Sequence, residues 1–211
     1  IRGNNNNFTV SGSKSSGIYN TGKVTGQNVT FKLNSPGSKS NGLINNGTDL
    51  VSLTDSTFYV YQNESNGINN AKAGGTIKLL RTDFNVGDPA TGGTTSGYKS
   101  NGIANLATLS TYEGTFTING QNANGILDEK TATTETKYTN FIVSNKAYRS
   151  NAISTDGQLD TYGGDFTINA QQSNGIITQA NASAITVNGS HFILNANNTN
   201  GIVNMDKTKS T

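Results

Sequence analysis

Cysteine and tryptophan are absent from this 211-residue chain, and only 13% of its residues are charged. Without cysteine the chain has no disulfide framework and no thiolate metal site. No apolar run approaches the ~20 residues that a membrane-spanning helix needs, so no segment is expected to insert into a membrane. The formal net charge of +2 is too small to indicate a nucleic-acid partner.

Hydrophobic residues make up only 32% of the chain, which is too few for a large rounded core. Asn, Thr, Ser and Gly dominate instead, a composition that disordered chains share. Disorder is nevertheless not expected, because the apolar residues occupy regularly repeated positions and the few charges cannot hold a chain open by repulsion. A narrow, repetitive core needs few apolar residues per unit and fits this composition.

A tetrapeptide of the type Ser173-Asn174-Gly175-Ile176 occurs eight times in the chain. Successive copies are 23 to 27 residues apart, with one gap of 35 residues. A period in this range indicates stacked supersecondary units. The third position of the tetrapeptide is Gly in seven copies and Ala in one, at Gly17, Gly42, Gly67, Gly102, Gly125, Ala152, Gly175 and Gly201.

The phenylalanines follow the same period, and each one begins a Phe-x-apolar triplet. In five units the Phe precedes the repeated Gly position by nine residues. The chain therefore consists of eight units of one repeat, each with one Phe and one Asn-Gly-Ile segment. The eight phenylalanines are Phe8, Phe31, Phe58, Phe84, Phe116, Phe141, Phe166 and Phe192.

Within one unit, apolar and polar residues alternate as they do in strands. In the last unit, Ile185 and Val187 alternate with polar residues, and Phe192 and Leu194 do so again after a turn. A third short segment surrounds Ile202. The sequence thus predicts an all-β fold, a right-handed parallel β-helix (β-solenoid) of about eight coils with three short strands per coil. Residues 1–211 are expected to form one such domain and to be a piece of a longer surface protein.

The Asn before the repeated Gly is interpreted as a structural residue. Asn-Gly suits a tight corner because both residues tolerate positive φ. Stacked Asn side chains in adjacent coils can also form a hydrogen-bonded ladder along the axis. The row contains Asn41, Asn66, Asn101, Asn124, Asn151, Asn174 and Asn200, with Ser16 as its end member.

Two segments depart from the period and are candidates for function, because loops on a rigid scaffold often carry it. The first, Gly87–Gly97, adds about nine residues to coil four. The second, Leu127–Thr136, is interpreted as a polar, charged connection entering coil six. In coil six, Thr134 and Thr136 also replace the apolar residues of the first strand.

No catalytic constellation is found, and neither a metal site nor a cofactor is expected. Glycoside hydrolysis needs two carboxylates that flank the scissile bond, but the thirteen acids do not recur in one row. Acids such as Asp128 are interpreted as solvated surface residues. His191 lies one coil from Asp165 in the equivalent position, yet this pair lacks the third group of a nucleophilic or metal site.

Two outward-facing rows are the candidate binding residues. Three positions before the repeated Gly, four of the eight residues are basic, and Tyr98-Lys99 and Tyr148-Arg149 combine a basic residue with an aromatic one. Exposed Tyr side chains can stack on sugars, and Lys or Arg can hold uronic-acid carboxylates. The alternative is that Tyr is there because it favours strands. The second row, four positions before Phe, holds Tyr112, Lys137 and Tyr162.

With its Phe-x-apolar and Ser-Asn-Gly-Ile repeats, the whole chain resembles the pectate-lyase-like adhesive domains of bacterial surface adhesins, such as the binding regions of Gram-positive serine-rich-repeat adhesins. The resemblance implies a location on the bacterial cell surface, through cell-wall anchoring or outer-membrane display by other parts of the protein. It also implies non-catalytic binding of a polysaccharide or glycoprotein on a host or plant surface.

Two other functions are open at this stage. A passive stalk or an autotransporter passenger predicts that the isolated chain binds nothing. A polysaccharide lyase or hydrolase predicts that it cleaves polymers. The isolated chain is expected to be a monomer.

Overall fold

The computed structural model describes residues 1–34 and 36–205, and no helix occurs in them. The chain forms 24 strands, which are, in chain order, β1 (Arg2–Asn4), β2 (Asn7–Val10), β3 (Ser16–Asn20), β4 (Val24–Gln27), β5 (Thr30–Leu33), β6 (Asn41–Asn45), β7 (Leu50–Thr54), β8 (Thr57–Val60), β9 (Asn66–Asn70), β10 (Thr76–Leu80), β11 (Asp83–Val86), β12 (Asn101–Asn105), β13 (Thr108–Tyr112), β14 (Thr115–Ile118), β15 (Asn124–Asp128), β16 (Thr133–Lys137), β17 (Asn140–Val143), β18 (Asn151–Thr155), β19 (Gln158–Tyr162), β20 (Asp165–Ile168), β21 (Asn174–Thr178), β22 (Ala184–Asn188), β23 (His191–Leu194) and β24 (Asn200–Asn204).

Every third strand belongs to the same sheet, so each coil gives one strand to each of three parallel, eight-stranded sheets. Sheet A starts with β1, sheet B with β2 and sheet C with β3. The register pairs each Phe with the Phe of the next coil, as Phe84 pairs with Phe58 and Phe116. The predicted β-solenoid of about eight coils with three strands per coil is confirmed. The predicted domain also includes Ser35 and residues 206–211, which lie outside the described residues.

The phenylalanine rings form one stack through the interior. Neighbouring ring centroids are 4.5 to 5.0 Å apart, and the six inner rings are fully buried. Phe8 and Phe192 end the stack and are half-buried. Burying a Phe side chain contributes about 1.5–3 kcal/mol, so each of the six inner rings stabilises the rod.

Two rows of residues with positive φ turn each coil at its corners. Non-glycine residues rarely adopt this left-handed conformation, yet the rows contain mostly Asn, Lys, Glu and Arg. Between sheets A and B the row is Asn5, Asn28, Asp55, Arg81, Glu113, Tyr138, Gly163 and Gly189, with φ of 46° to 67°. Between sheets B and C the row is Lys14, Lys39, Glu64, Lys99, Asn122, Arg149, Gln172 and Asn198, with φ of 52° to 58°.

The repeated Gly does not form a corner, so the interpretation of Asn-Gly as a turn was wrong. The Gly lies inside a strand of sheet C and is absent from the positive-φ residues. Its role is close packing: a Cβ on Gly102 would lie 2.6 Å from the carbonyl oxygen of Gly125 and 3.0 Å from the ring of Phe116. Glycine is therefore needed because the backbone and ring of the next coil leave no room for a side chain.

Ala152 is the one exception in this row, and the rings near it are tilted. Ring planes from Phe31 to Phe116 diverge by 5° to 6°, whereas those from Phe116 to Phe192 diverge by 13° to 15°. The row accommodates one methyl group here, although the ring planes of Phe8 and Phe31 beside Gly17 also diverge, by 12°.

The predicted Asn ladder is confirmed. Each Asn of the row donates a hydrogen bond from Nδ2 to the Oδ1 of the Asn one coil earlier, from Asn200 down to Asn41, at 2.9 to 3.1 Å. The Ser before this Asn forms a buried row of its own, in which Ser65 Oγ accepts the backbone N–H of Ser40 at 3.0 Å. Ser and Asn of the tetrapeptide thus join the coils, while Gly lets them approach.

A second polar column lies inside, at the end of the sheet C strands. Asn20, Asn45 and Asn70 each donate to the next member in the following coil at 2.9 to 3.0 Å, and Asn105 donates to Asp128 at 3.1 Å. The segment Leu127–Thr136, which the sequence predicted to be a connection, consists largely of strand residues. Only four residues separate the end of β15 from the start of β16.

The first strand of coil six keeps its place despite its polar sequence. Thr134 and Thr136 are buried there as the apolar residues are elsewhere. Thr134 Oγ1 donates to Asp128 Oδ1 at 2.6 Å.

Candidate functional site

The basic row predicted from the sequence forms the corner between sheets B and C. All its members except Asn122 are exposed. Lys39 is paired with Glu64 at 3.4 Å. Lys99 and Arg149, by contrast, form no ion pair within the described residues. Their charges are therefore available to an anionic group from outside.

The predicted combination of aromatic and basic residues is present in coils four and six. Lys99 Nζ lies 5.2 Å from the centre of the Tyr98 ring, and Arg149 Cζ lies 5.0 Å from the centre of the Tyr148 ring. We call these two contacts the corner pairs. They lie two coils apart on one corner, about 10 Å by the strand spacing, so an extended ligand along the axis can reach both.

A hollow of about 370 Å³ lies beside the second corner pair. Its lining contains one aromatic ring and five side-chain amides but no charged group. Amides both donate and accept hydrogen bonds, as sugar hydroxyls do. We call it the Tyr148 hollow, and it is lined by Tyr148, Asn145, Asn169, Gln171, Asn195, Ala196 and Asn197.

The enlarged loop Gly87–Gly97 lies next to the corner, as predicted, and is held by hydrogen bonds to three other coils. Lys146 Nζ donates to the carbonyl oxygen of Ala90 at 2.6 Å and also to that of Pro89. Gly93 donates from its backbone N–H to the carbonyl oxygen of Asn119 at 2.8 Å. The loop is therefore a fixed wall on the surface of the rod.

A second hollow lies on the opposite side of this loop, and sequence reasoning missed it. It measures about 570 Å³ and is lined by Lys32, Asn34, Tyr61, Asp88, Thr91, Thr95 and Ser96. We call it the Tyr61 hollow. The sequence contained one indication of this hollow, the pair Tyr59 and Tyr61 at the end of the strand that begins near Phe58. What the sequence did not indicate is that the loop folds back over coil three.

The second predicted row, on sheet A, is also in register but lies on a different face. Tyr112 pairs with Lys137, and Lys137 pairs with Tyr162, in adjacent strands. Lys137 Nζ lies 5.6 Å from the centre of the Tyr162 ring and 2.7 Å from Glu135 Oε1. Because Glu135 already neutralises Lys137, this row offers aromatic surface without a free charge.

Tyr112 is the most exposed member of that row. Its pKa is raised, chiefly by the neighbouring Glu113 carboxylate, so the phenol stays neutral.

Asp128 is not a solvated surface acid, as the sequence suggested, but is buried at 2% exposure. Burial raises its pKa to about 6, although hydrogen bonds from Thr134, Asn105 and Thr155 act in the opposite direction. Its Oδ2 has no hydrogen-bond partner among the described residues. Asp128 is therefore enclosed in the interior as part of the inner polar column.

Asp165 lies next to the single histidine of the chain. His191 Nδ1 lies 3.2 Å from Asp165 Oδ1, and both side chains are more than half exposed. No group of three or more His, Asp or Glu side chains that could hold a metal occurs in residues 1–34 and 36–205. No helix in that part of the chain is long and apolar enough to cross a membrane.

No protein-family model, curated protein or solved structure matches the chain. The stacked three-stranded coils are consistent with a pectate-lyase-like β-helix. Folds of this kind host many functions, so the surface residues and not the architecture decide what this rod does.

Proposed function

We propose that this β-solenoid is a non-catalytic adhesive module that binds a glycan, either a polysaccharide or the sugar of a glycoprotein, at the bacterial cell surface. The observation that carries the proposal is the Tyr148 hollow beside an exposed Arg149 without an acidic partner. An aromatic ring offers its face to the apolar side of a sugar, while amides and a guanidinium bind hydroxyls and carboxylates.

The binding surface is the corner from Tyr98 to Arg149, with the loop Gly87–Gly97 as its wall. The two corner pairs repeat along the axis, as the residues of a polymer do. The backbone of Tyr98 and of Tyr148 is hydrogen-bonded to a neighbouring coil, so binding requires ordering of side chains but not of the chain itself. The row Tyr112, Lys137 and Tyr162 is the alternative surface on sheet A.

A retention screen tests this function directly. The protein is incubated with pectin-type polymers, glycosaminoglycans and a mucin-type glycoprotein at several pH values, with and without Ca²⁺. Retention without cleavage supports the proposal. Release of unsaturated or reducing ends would instead make the protein a polysaccharide lyase or hydrolase, and no retention on any polymer would favour a passive stalk.

A double variant tests the surface. Lys99→Ala with Arg149→Ala is expected to weaken binding of an anionic polymer several-fold and to flatten its salt dependence, because exposed charges are screened within about 8–10 Å at physiological salt. Thermal unfolding is expected to be unchanged, since both side chains are exposed.

The matched control is Tyr112→Ala with Tyr162→Ala, which removes the aromatic surface of sheet A. Binding that is lost in this control and kept in the Lys99→Ala, Arg149→Ala variant would move the site to sheet A.

A further inference from the structure

The two hollows lie on the same side of the rod. Both are lined by residues of the row that follows Phe by three positions, with Asn34 and Tyr61 in one hollow and Asn169 and Asn195 in the other. The loop Gly87–Gly97 separates them. The Tyr61 hollow is the larger of the two, at about 570 Å³, and no part of the proposed function uses it.

The walls of the Tyr61 hollow are fixed by hydrogen bonds. Ser96 Oγ donates to the carbonyl oxygen of Tyr61 at 3.0 Å and accepts the backbone N–H of Asp88 at 2.9 Å. Asp88 Oδ1 accepts the backbone N–H of Ala90 at 2.8 Å. Because the loop is joined to coil three in this way, the hollow is formed before any ligand arrives.

One aromatic ring, that of Tyr61, lines this hollow, and a second ring packs against it. Tyr59 and Tyr61 meet edge to face, with centroids 5.8 Å apart and planes at 62°. Partial burial raises the pKa of Tyr61, and the charge of Asp88 and the nearby Tyr59 act in the same direction. The phenol of Tyr61 is therefore a neutral hydrogen-bond donor on a ring that packs against Tyr59.

The charged groups of the hollow balance one another. Lys32 contributes one positive charge and Asp88 one negative charge, and neither forms an ion pair within the described residues. A single charge on a ligand would be attracted by one of these groups and repelled by the other, so the hollow does not offset the cost of removing that charge from water. Hydroxyl groups satisfy both, because they donate to the carboxylate and accept from the ammonium.

We infer that the Tyr61 hollow is a second saccharide-binding site, which takes an uncharged sugar ring with Tyr61 as the aromatic surface and Asp88 and Lys32 as the hydroxyl-binding groups. Only the class of ligand rests on the proposed function. The site is separate from the corner pairs, and its binding is insensitive to salt where that of Lys99 and Arg149 is sensitive.

Tyrosine signals offer a direct test, because all eight tyrosines lie outside the phenylalanine stack. The protein is labelled with ¹³C at tyrosine and titrated by NMR with methyl galactoside, methyl mannoside and methyl glucoside. Galacturonate and glucosamine serve as charged counterparts. We expect the signals of Tyr59 and Tyr61 to shift with at least one neutral sugar, equally at low and high salt, and several-fold less with the charged sugars.

Two variants of the site and one control complete the test. Tyr61→Ala and Asp88→Asn are each expected to weaken binding of that neutral sugar at least fivefold. Asp88→Asn retains an oxygen for the Ala90 N–H, so the loop keeps its anchor. Tyr19→Ala removes an exposed tyrosine on sheet C and is expected to change nothing.

The outcomes separate this site from the corner. Shifts at Tyr98 and Tyr148 alone would overturn the second site and leave the proposed function intact. Shifts at Tyr61 alone would support the second site while the corner fails. Shifts at Tyr61 that occur only with galacturonate, or no shift at Tyr59 and Tyr61 with any sugar, would overturn the inference.

Discussion

The rows that face the interior of the rod and the rows that form its corners follow the same period but differ in composition. Two positions after each Phe, all eight coils hold an apolar residue. Three positions before the repeated Gly, the coils hold Lys, Lys, Glu, Lys, Asn, Arg, Gln and Asn in turn. Within each row the backbone conformation is the same in every coil. The two rows therefore differ in composition because their side chains have different surroundings.

An interior residue contacts its equivalents in the coils above and below, so each member of this row has to present an apolar surface to its neighbours. A corner residue contacts water on one side and is free to change. Function can therefore vary along the corners at little cost, while the interior keeps its composition.

The largest expected effect comes from opening the phenylalanine stack. Phe116 is fully buried between Phe84 at 4.5 Å and Phe141 at 5.0 Å. Phe116→Ala is expected to destabilise the protein by about 3–5 kcal/mol, because the lost burial and the cavity both count. Chemical denaturation measures the change. An unfolding midpoint equal to that of the parent would mean that the row does not support the fold as its burial implies.

The second largest effect is expected in the glycine row of sheet C. A Cβ on Gly175 would lie 2.5 Å from the carbonyl oxygen of Gly201 and 2.8 Å from the ring of Phe192. Gly175→Val is expected to lower the melting temperature far more than Gly175→Ala, because Ala152 shows that the row can hold one methyl group. Equal loss in both variants would show that the Gly is needed for a reason other than side-chain volume.

The next prediction concerns Asp128, a buried acid in an interior column that otherwise consists of Asn side chains. Its folded pKa of about 6 lies above the 3.8 that is usual for an aspartate, so the acid stabilises the fold when protonated, and this contribution is lost as pH rises through about 6. Asp128→Asn continues the Asn column and is expected to stabilise the protein at pH 8 by up to about 3 kcal/mol.

The stabilisation by Asp128→Asn is expected to fade toward pH 4, because there the parent carries a neutral acid. Denaturation at several pH values gives the difference between variant and parent. A difference that stays constant with pH would contradict the raised pKa.

The smallest expected effect is at a corner. Lys14 has a φ of 54° and its side chain is exposed. Lys14→Gly relieves the left-handed conformation, which costs about 1–2 kcal/mol for other residues, while glycine loses part of that gain as unfolded-state entropy. A net gain of a few tenths of a kcal/mol is expected. Lys78→Gly, in an exposed position of β10, is the control and should destabilise.

The fold could be predicted because the same repeat occurs eight times in the sequence. One Phe row and one Gly row define the coils, and errors in single units average out. The positions of the corners were predicted wrongly because Lys, Glu and Arg rarely adopt positive φ and so do not indicate a turn. Asn-Gly does indicate a turn, but in this protein it lies in a strand. The Tyr61 hollow was missed because it joins coils two, three and four across 64 residues from Lys32 to Ser96.

The burial of Asp128 could not be read from the sequence either. Asp128-Glu129 looks like a charged turn, and only the stacking of Asp128 on Asn105 places its carboxyl in the inner column. The corner pairs were found because their residues are adjacent in sequence. Which ligand they hold depends on the neighbouring amides of three coils, and those amides carry no signal in a chain this rich in Asn.

The two amide columns also have opposite directions. In the outer ladder each Nδ2 points toward the first coil, from Asn200 to Asn41. In the inner column each Nδ2 points toward the last coil, and the orientation is fixed because Asn105 Oδ1 accepts the backbone N–H of Ala107 at 3.1 Å. The two columns therefore oppose each other as dipoles, and the rod avoids a large net dipole from its amides.

The inner column ends with its positive N–H end on Asp128, much as an anion sits at the N-terminus of a helix. Hydrogen bonds in a chain polarise one another. The loss or gain of one proton at Asp128 therefore changes the strength of each amide hydrogen bond back to Asn20, so four coils respond electrically to a single buried acid.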